Sequence, residues 1–279
     1  MTPYLSVIIP AYHEQQRIGA TLGDCYAYLS KQAFAWELLV VVDGSRDGTL
    51  DVVERFAAGK PGIRALARHA NRGKGYSVRE GLLAARGDIR LFMDADNSTN
   101  LAHFDQMAPL FTAGCDVVIG SRDPKDAAGA RRLVPQKALK TWAGKAGNLL
   151  VQMLLLPGIW DTQCGFKAFT RRAAETIAPL ARMDRWSFDI EALALARRFD
   201  FQLGFVPARW TDDPRSHVSV RSYLDVLWET VTIRWHLLRG DYDRHFSLLW
   251  HETSSAGFQN GGQGYPAPIA RRPSYRSVE

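Results

Sequence analysis

The 279-residue sequence predicts an α/β protein with a doubly wound, mostly parallel sheet, flanking helices and amphipathic helices toward the C-terminus. Three observations predict it. Short apolar runs alternate with helix-like stretches through the first 120 residues or so. The run Glu37 to Val42 is almost continuously apolar, as in a strand covered on both faces. Pro10-Ala11-Tyr12-His13-Glu14, Asp43-Gly44-Ser45 and Asp94-Ala95-Asp96 each fall just past the end of an apolar run. Ligands of such sheets bind beyond the carboxyl ends of the strands, so these clusters mark one site.

Each element follows from its local pattern. Leu5 to Ile9 reads as a strand ended by Pro10, Gln16 to Lys31 as a helix, and Glu37 to Val42 as the second strand. Ser45 to Thr49 makes a turn and a helix start, Ile63 to Leu66 a third strand, and Lys74 to Ala85 a helix. Ile89 to Met93 is a strand, Leu101 to Thr112 a helix, and Val117 to Ile119 closes the pattern. Downstream, Gln136 to Leu156 aligns Leu139, Trp142, Ala146, Leu149, Leu150 and Met153 at helical spacing. Ser222 to Arg239 does the same with Leu224, Leu227, Val231, Trp235 and Leu238. From about Thr253 the chain is rich in Gly, Ser, Pro and Gln, which predicts a disordered tail. The expected organisation is an α/β domain over 1–220, an amphipathic helical extension over 221–252 and a tail over 253–279.

Composition excludes several classes. Hydrophobic residues are 46% and aromatics 11%, enough for a sizeable core. Three cysteines, Cys25, Cys115 and Cys164, are too few and scattered for a disulfide framework or zinc site. No run approaches the ~20 apolar residues of a spanning helix, and no signal peptide is read at the N-terminus. A cytoplasmic protein, peripheral on the cytoplasmic face of a membrane, is therefore expected. The net charge is +6, and the window Gly120 to Leu150, with seven bases against two acids, contains +5 of it. Such a cluster expects an anionic partner.

The chemistry-bearing residues sharpen this. Asp94 and Asp96, one residue apart at a strand end, suit a hard divalent cation that also takes oxygens from a substrate diphosphate. Asp43, in the same setting, suits hydrogen bonds from a base or ribose, or else belongs to an ordinary turn. Asn71-Arg72-Gly73-Lys74-Gly75 heads a helix whose start, with Lys74, would welcome a phosphate. It has neither the P-loop spacing, since position 68 is Arg, nor G-x-G-x-x-G, since position 78 is Val. ATPase and dinucleotide-dehydrogenase readings drop out.

Taken in order, Ser6 to Glu14, Val41 to Thr49, Asn71 to Gly75 and Asp94-Ala95-Asp96 resemble the family 2 glycosyltransferases of GT-A fold. Asp161-Thr162-Gln163-Cys164-Gly165-Phe166-Lys167 and Arg185-Trp186-Ser187-Phe188-Asp189-Ile190-Glu191 are similar to the polyprenyl-phosphate branch, with dolichyl-phosphate β-glucosyltransferases nearest and mannose synthases as neighbours. The resemblance covers about residues 4 to 220. It implies inverting transfer of a hexose from a nucleotide diphosphate, with UDP-glucose the expected donor, to a lipid phosphate. It further implies nucleotide contacts from Pro10, Tyr12, Glu14, Val41 and Asp43, and a metal, Mg²⁺ or Mn²⁺, with the diphosphate at Asp94-Ala95-Asp96. Arg122, with Arg131 or Arg132, would face the acceptor phosphate. The chain departs from the pattern at His13 (usually Asn), Val42 (usually Asp) and Ser98, where mannose synthases often have Gln. Arg215 would replace the lysine of a Gly-Ser-Lys loop.

A phosphate monoester is already an anionic nucleophile, so the expected mechanism is positioning plus charge neutralisation, with arginines gripping phosphate oxygens. The sequence is also compatible with other acceptors. A sugar-hydroxyl acceptor would need a base, for which Asp189 or Asp161 is the candidate, and a mannose synthase would use GDP-mannose. Asp189 otherwise orders donor hydroxyls or Arg185, or caps a helix. A nucleic-acid module would use the basic window but leave Asp43, Asp94 and Asp96 as repulsive passengers, so no nucleic acid is expected. The two amphipathic helices either lie on a membrane surface or pack on the core, and a homo-oligomer is left open.

Overall fold

The computed structural model describes residues 2–132, 147–210 and 220–243. The chain divides into two compact units, Met1–Trp235 and His236–Glu279, and the whole sheet lies in the first. Strands β1 (Leu5–Ala11), β2 (Trp36–Asp43), β3 (Ile63–Arg68) and β4 (Ile89–Met93) alternate with helices α1 (Ile18–Leu29), α2 (Thr49–Ala57) and α3 (Lys74–Ala84). Then come α4 (Phe104–Thr112), β5 (Val117–Ser121), β6 (Arg131–Arg132), a helix α5 described over 147–154, β7 (Phe166–Thr170), α6 (Arg171–Leu180) and α7 (Phe188–Arg198). Strands β8 (Leu203–Pro207) and β9 (Arg209–Trp210) and helix α8 (Val220–Arg239) complete the described chain.

Seven strands form one sheet in the order β3-β2-β1-β4-β7-β5-β8. All neighbours are parallel except around β7, which runs against both β4 and β5. Strands β6 and β9 form a small separate parallel pair. The expected mostly parallel sheet is therefore present, and its single reversal was not among the expectations.

Alternation along β1 separates the two layers. Leu5, Val7 and Ile9 are fully buried with Ile18, Leu22, Cys25 and Leu29, the residues at helical spacing along α1. Ile8 faces the other way, onto Gly81 of α3, where a β-carbon would collide with it. Full burial of each such aliphatic side chain contributes about 1.5–3 kcal/mol, so the strand is fixed from both faces. On β4, Phe92 stacks on Phe169 of β7 and tilts against Phe188 of α7.

The parallel register brings the ends of β1, β2 and β4 to one edge. Ala11 pairs with Val42, Asp43 with Arg68, and Ile8 with Phe92. Because β7 is reversed, its beginning lies at that same edge, with Phe166 opposite Met93. The end of β5 is there too, since Ile119 pairs with Lys167.

The first half of the expected helix Gln136 to Leu156, and the tail from Thr253, fall outside the described residues, as does Arg215. Where helix α5 is described, Leu149 and Met153 are exposed while Val151 is buried. On α8, Leu224, Val231 and Trp235 are exposed while Thr230 and Ile233 are buried. The apolar stripes read from the sequence thus face outward at these positions, not into the core.

Candidate active site

Three loops at the carboxyl edge lock together before any ligand is considered. The His13 N–H donates to Ser45 Oγ (3.0 Å) and the Glu14 N–H to Thr49 Oγ1 (2.9 Å), joining the end of β1 to the start of α2. His13 has φ +57°, and its ring meets Tyr12 edge-on at 4.2 Å. Tyr12 is left 46% exposed, a flat ring presented to solvent at the strand end. Glu14 is occupied by Arg17, at 2.6 Å. Pro10 and Val41 pair within the ladder, and the Val41 side chain is buried beside Gly81, so neither turns its side chain outward.

Asp43 is only 2% exposed and its carboxylate is heavily engaged. It accepts the N–H groups of Arg72 (2.9 Å) and Gly73 (2.8 Å) and an Arg68 guanidinium N–H (2.7 Å). The carboxylate that the sequence assigns to a nucleotide therefore clamps the 71–73 loop in this structure. Gly44 beside it has φ +65°, and a β-carbon there would lie 2.5 Å from the Ala70 carbonyl carbon.

The head of α3 also differs from expectation. The N–H groups of Gly75 and Tyr76 donate to the carbonyls of Arg185 (3.2 Å) and Asp184 (3.1 Å). Two of the first N–H groups of the helix are thus committed to the 184–185 loop, and the Lys74 side chain is the cation at this helix start. Its Nζ lies 2.5 Å from Asp94 Oδ1. Burial alone would lower the Lys74 pKa, but Asp94, Asp189 and Asp96 together raise it, so the ammonium stays charged.

Asp94 and Asp96 immediately follow β4, and each is held. Asp96 Oδ1 accepts the Ser98 N–H (3.0 Å), while the Ala95 carbonyl between them accepts Thr21 Oγ1 (2.6 Å). Gly165, at the entry to β7, lies directly against the Asp94 carboxylate, with a hypothetical β-carbon 2.5 Å from Oδ1. The site fits a divalent cation on these observations: two carboxylates on one short turn, a floor kept open by a glycine, and a lysine ammonium already seated on one carboxylate. Among the described residues no cluster of three or more His, Cys, Asp or Glu side chains could hold a metal. Two protein carboxylates with the remaining ligands from water and diphosphate is the Mg²⁺-like pattern. Cys164, next to Gly165 in the chain, is pushed up to about 12 by burial and the nearby Asp161, so it stays a thiol.

On the far side of Gly165, Arg122 and Asp161 make a fork-to-fork pair. Arg122 Nε and Nη2 donate to Asp161 Oδ2 and Oδ1, both at 2.7 Å, and the Arg122 backbone N–H adds a third bond at 2.7 Å. Burial alone would raise the Asp161 carboxyl, but Arg122 pulls it down to about 2. Asp126, at 2.8 Å in each case, accepts the N–H groups of Trp160 and Asp161 and the Ser121 hydroxyl, fixing the loop from below. Arg122 also lies over the Trp210 ring at 5.2 Å, and Trp210 is the ladder partner of Arg132. Trp210 thus links the backbone of Arg131–Arg132 to Arg122, while the side chains of Arg131 and Arg132 lie outside the described atoms.

Asp189 is the second residue of α7, and Ser187 holds the cap position without a side-chain bond. The cap reading of Asp189 is therefore incorrect. Its Oδ1 instead lies 2.5 Å from Lys167 Nζ, which also donates to the Cys164 carbonyl at 2.6 Å. Lys167 is fully buried and Asp189 almost so. Lys167, Gly165, Asp126 and Trp210 were not singled out from sequence; the 161–167 motif was the one signal that two of them matter.

A seven-stranded, mostly parallel sheet with an acid pair just past the end of β4 is the fold of the GT-A class of glycosyltransferase. The Glycosyl transferase family 2 model matches residues 6–178, and the chain belongs to that family. It is 37% identical over 224 residues to the Drosophila melanogaster dolichyl-phosphate beta-glucosyltransferase, covering 75% of this chain and 67% of that one. It is 34% identical over 249 residues to the Dictyostelium discoideum enzyme of the same name, covering 85% and 76%. The human one is 32% identical over 253 residues, covering 86% and 77%. Among solved structures, Mycobacterium tuberculosis glucosyl-3-phosphoglycerate synthase, crystallised with Mn²⁺, UDP and glucosyl-3-phosphoglycerate, aligns with TM-score 0.58 at 19% identity, covering 83% and 78%. Rubrobacter xylanophilus mannosyl-3-phosphoglycerate synthase aligns at 0.57 and 17%, covering 86% and 75%. These neighbours support the fold.

Proposed function

We propose that this chain transfers glucose from UDP-glucose to a polyprenyl phosphate of the dolichyl type, with inversion at the anomeric carbon. The supporting observation is that residues 161–165 join two charge centres. Asp161 anchors Arg122, and Gly165 backs Asp94. An anion held at Arg122 and a diphosphate held at Asp94 and Asp96 would share that short segment as their common wall. The relatives named above as dolichyl-phosphate beta-glucosyltransferases support the choice of sugar and acceptor.

In the proposed reaction an acceptor phosphate oxygen attacks the anomeric carbon, the bond from that carbon to the UDP oxygen breaks, and UDP leaves. Tyr12 offers its exposed ring to the base, and Lys74 its ammonium to the diphosphate. Asp94 and Asp96 would hold a divalent cation, which when bound neutralises charge on the diphosphate. Arg122, with its face toward Asp161 fixed, orients the acceptor phosphate, aided by Arg131, Arg132 and Arg215. No proton must leave the nucleophile, and this agrees with the state of Asp189: a carboxylate bonded to a buried ammonium is poorly placed to be a base. Asp189 is assigned instead to the hexose side of the site, held in place by Lys167.

The acceptor also needs a surface to be drawn from. No helix among the described residues is long and apolar enough to cross a membrane. Leu149 and Met153 on α5, and Leu224, Trp228, Val231 and Trp235 on α8, are exposed. Gly147 of α5 adjoins α8 at Leu227. These two helices are the proposed contact with the bilayer surface, with aromatic side chains at headgroup depth. Incubation with UDP-glucose and a short polyprenyl phosphate, with and without EDTA, followed by product mass, tests the reading. Glucosyl phosphate product, lost with EDTA, supports it. Transfer to the corresponding alcohol but not the phosphate would overturn it.

A further inference from the structure

The Lys74 ammonium occupies one of the two carboxylates that would hold a metal. Its Nζ is 2.5 Å from Asp94 Oδ1, and both side chains are only about a quarter exposed, at 28% and 27%. Asp96 and Asp189 add to the attraction on the same ammonium. The lysine is delivered there rigidly. It is the first residue of α3, and the next two N–H groups of that helix are tied to the carbonyls of Arg185 and Asp184.

From this geometry we propose that Lys74 is a built-in competitor for the metal position at Asp94, and that the donor's diphosphate relieves the competition by drawing the ammonium onto itself. The inference rests on the metal-assisted reading above. A cation arriving alone must displace Lys74 from Asp94, whereas one arriving with the nucleotide finds that carboxylate released. Metal and nucleoside diphosphate therefore bind cooperatively, and the coupling passes through one side chain. By reciprocity, the metal strengthens nucleotide binding by the same factor.

The test measures Mn²⁺ binding, by the loss of the free-ion EPR signal, with and without UDP. The proteins are wild type, Lys74→Met, Lys74→Gln and Asp94→Asn, each checked for folding by circular dichroism. The expected result is that Mn²⁺ alone binds about tenfold more tightly to either folded Lys74 variant than to wild type. The enhancement of Mn²⁺ affinity by UDP should shrink by a similar factor. Equal or weaker Mn²⁺ binding by the Lys74 variants, or an undiminished enhancement by UDP, overturns the competition. In either case, loss of Mn²⁺ binding in Asp94→Asn leaves the metal assignment standing. Wild-type Mn²⁺ binding in Asp94→Asn overturns the assignment and the competition together.

Discussion

Gly165→Ala is the sharpest perturbation of the site, because it moves one functional group and little else. Gly165 is not among the residues with positive φ, so alanine meets no backbone strain there. Its β-carbon, however, would lie 2.5 Å from Asp94 Oδ1 and closer still to Oδ2 and Cγ. Ordinary contact begins near 3.4 Å, so the carboxylate must retreat by about 1 Å. The group displaced is the end of a side chain, and the variant should melt within a few degrees of wild type. A displacement of this size in a reacting constellation costs on the order of 10²-fold in rate, which corresponds to about 2.7 kcal/mol of transition-state stabilisation. The assay is kcat/KM for UDP-glucose with a short polyprenyl phosphate, alongside thermal unfolding. Activity within threefold of wild type would refute the reasoning that Asp94 acts from the position Gly165 leaves open. A large fall in melting temperature would show that the glycine serves the fold more than the carboxylate.

Three other substitutions follow from the same contacts. Asp161→Asn strands the Arg122 guanidinium without its counter-charge and should lower stability at pH 7 by roughly 3–5 kcal/mol, read from urea unfolding. Because Asp161 is pulled from its usual 3.8 to about 2, the pair's contribution is complete above the higher value and drains away as pH falls toward the lower. It amounts to about 2 kcal/mol, so wild type should lose stability more steeply than Asp161→Asn between those two pH values. Lys167→Met leaves Asp189 buried without its bonded ammonium and should destabilise by a similar ~3–5 kcal/mol; adding Asp189→Asn should recover part of it in a double-mutant cycle. Gly44→Ala forces a side chain into φ +65° and toward the Ala70 carbonyl carbon, and should cost about 1–3 kcal/mol in thermal unfolding.

The first four strands and the loops after them were legible because each strand is a compact apolar run bounded by turn residues. Ile89–Met93 appears with the bounds read from sequence, and the others extend by a few residues. Strand β7 was not legible. Its sequence, Phe-Lys-Ala-Phe-Thr, buries a lysine completely, and a charged residue inside a short run hides the strand from any hydrophobic pattern. Strand β8, with Gly204 inside and Pro207 at its end, gives an equally weak signal. The site shows the same division. That Asp43, Asp94 and Asp96 sit at strand ends follows from local pattern. That Asp43 is consumed by N–H groups about 30 residues away, or Arg122 by Asp161, depends on tertiary pairing that no local rule supplies.

The reversal of β7 is what brings two charge centres, Asp94 with Lys74 and Asp161 with Arg122, to one edge of the sheet. Were β7 parallel to β4, the segment before it would enter at the opposite edge, and Asp161 to Gly165 would lie far from Asp94. Running against β4, it places that segment at the carboxyl edge, where Phe166 faces Met93. One short stretch then contacts three groups in turn: Asp161 holds Arg122, Gly165 backs Asp94, and Lys167 holds Asp189. Each of its two charged side chains meets one of opposite sign, so the site avoids the cost of isolated buried charge. An incoming acceptor phosphate adds negative charge where Arg122 is already fixed by a carboxylate. Binding it therefore requires little new ordering of that cation, and in the proposed reaction such preorganisation is a main contribution of the protein to rate.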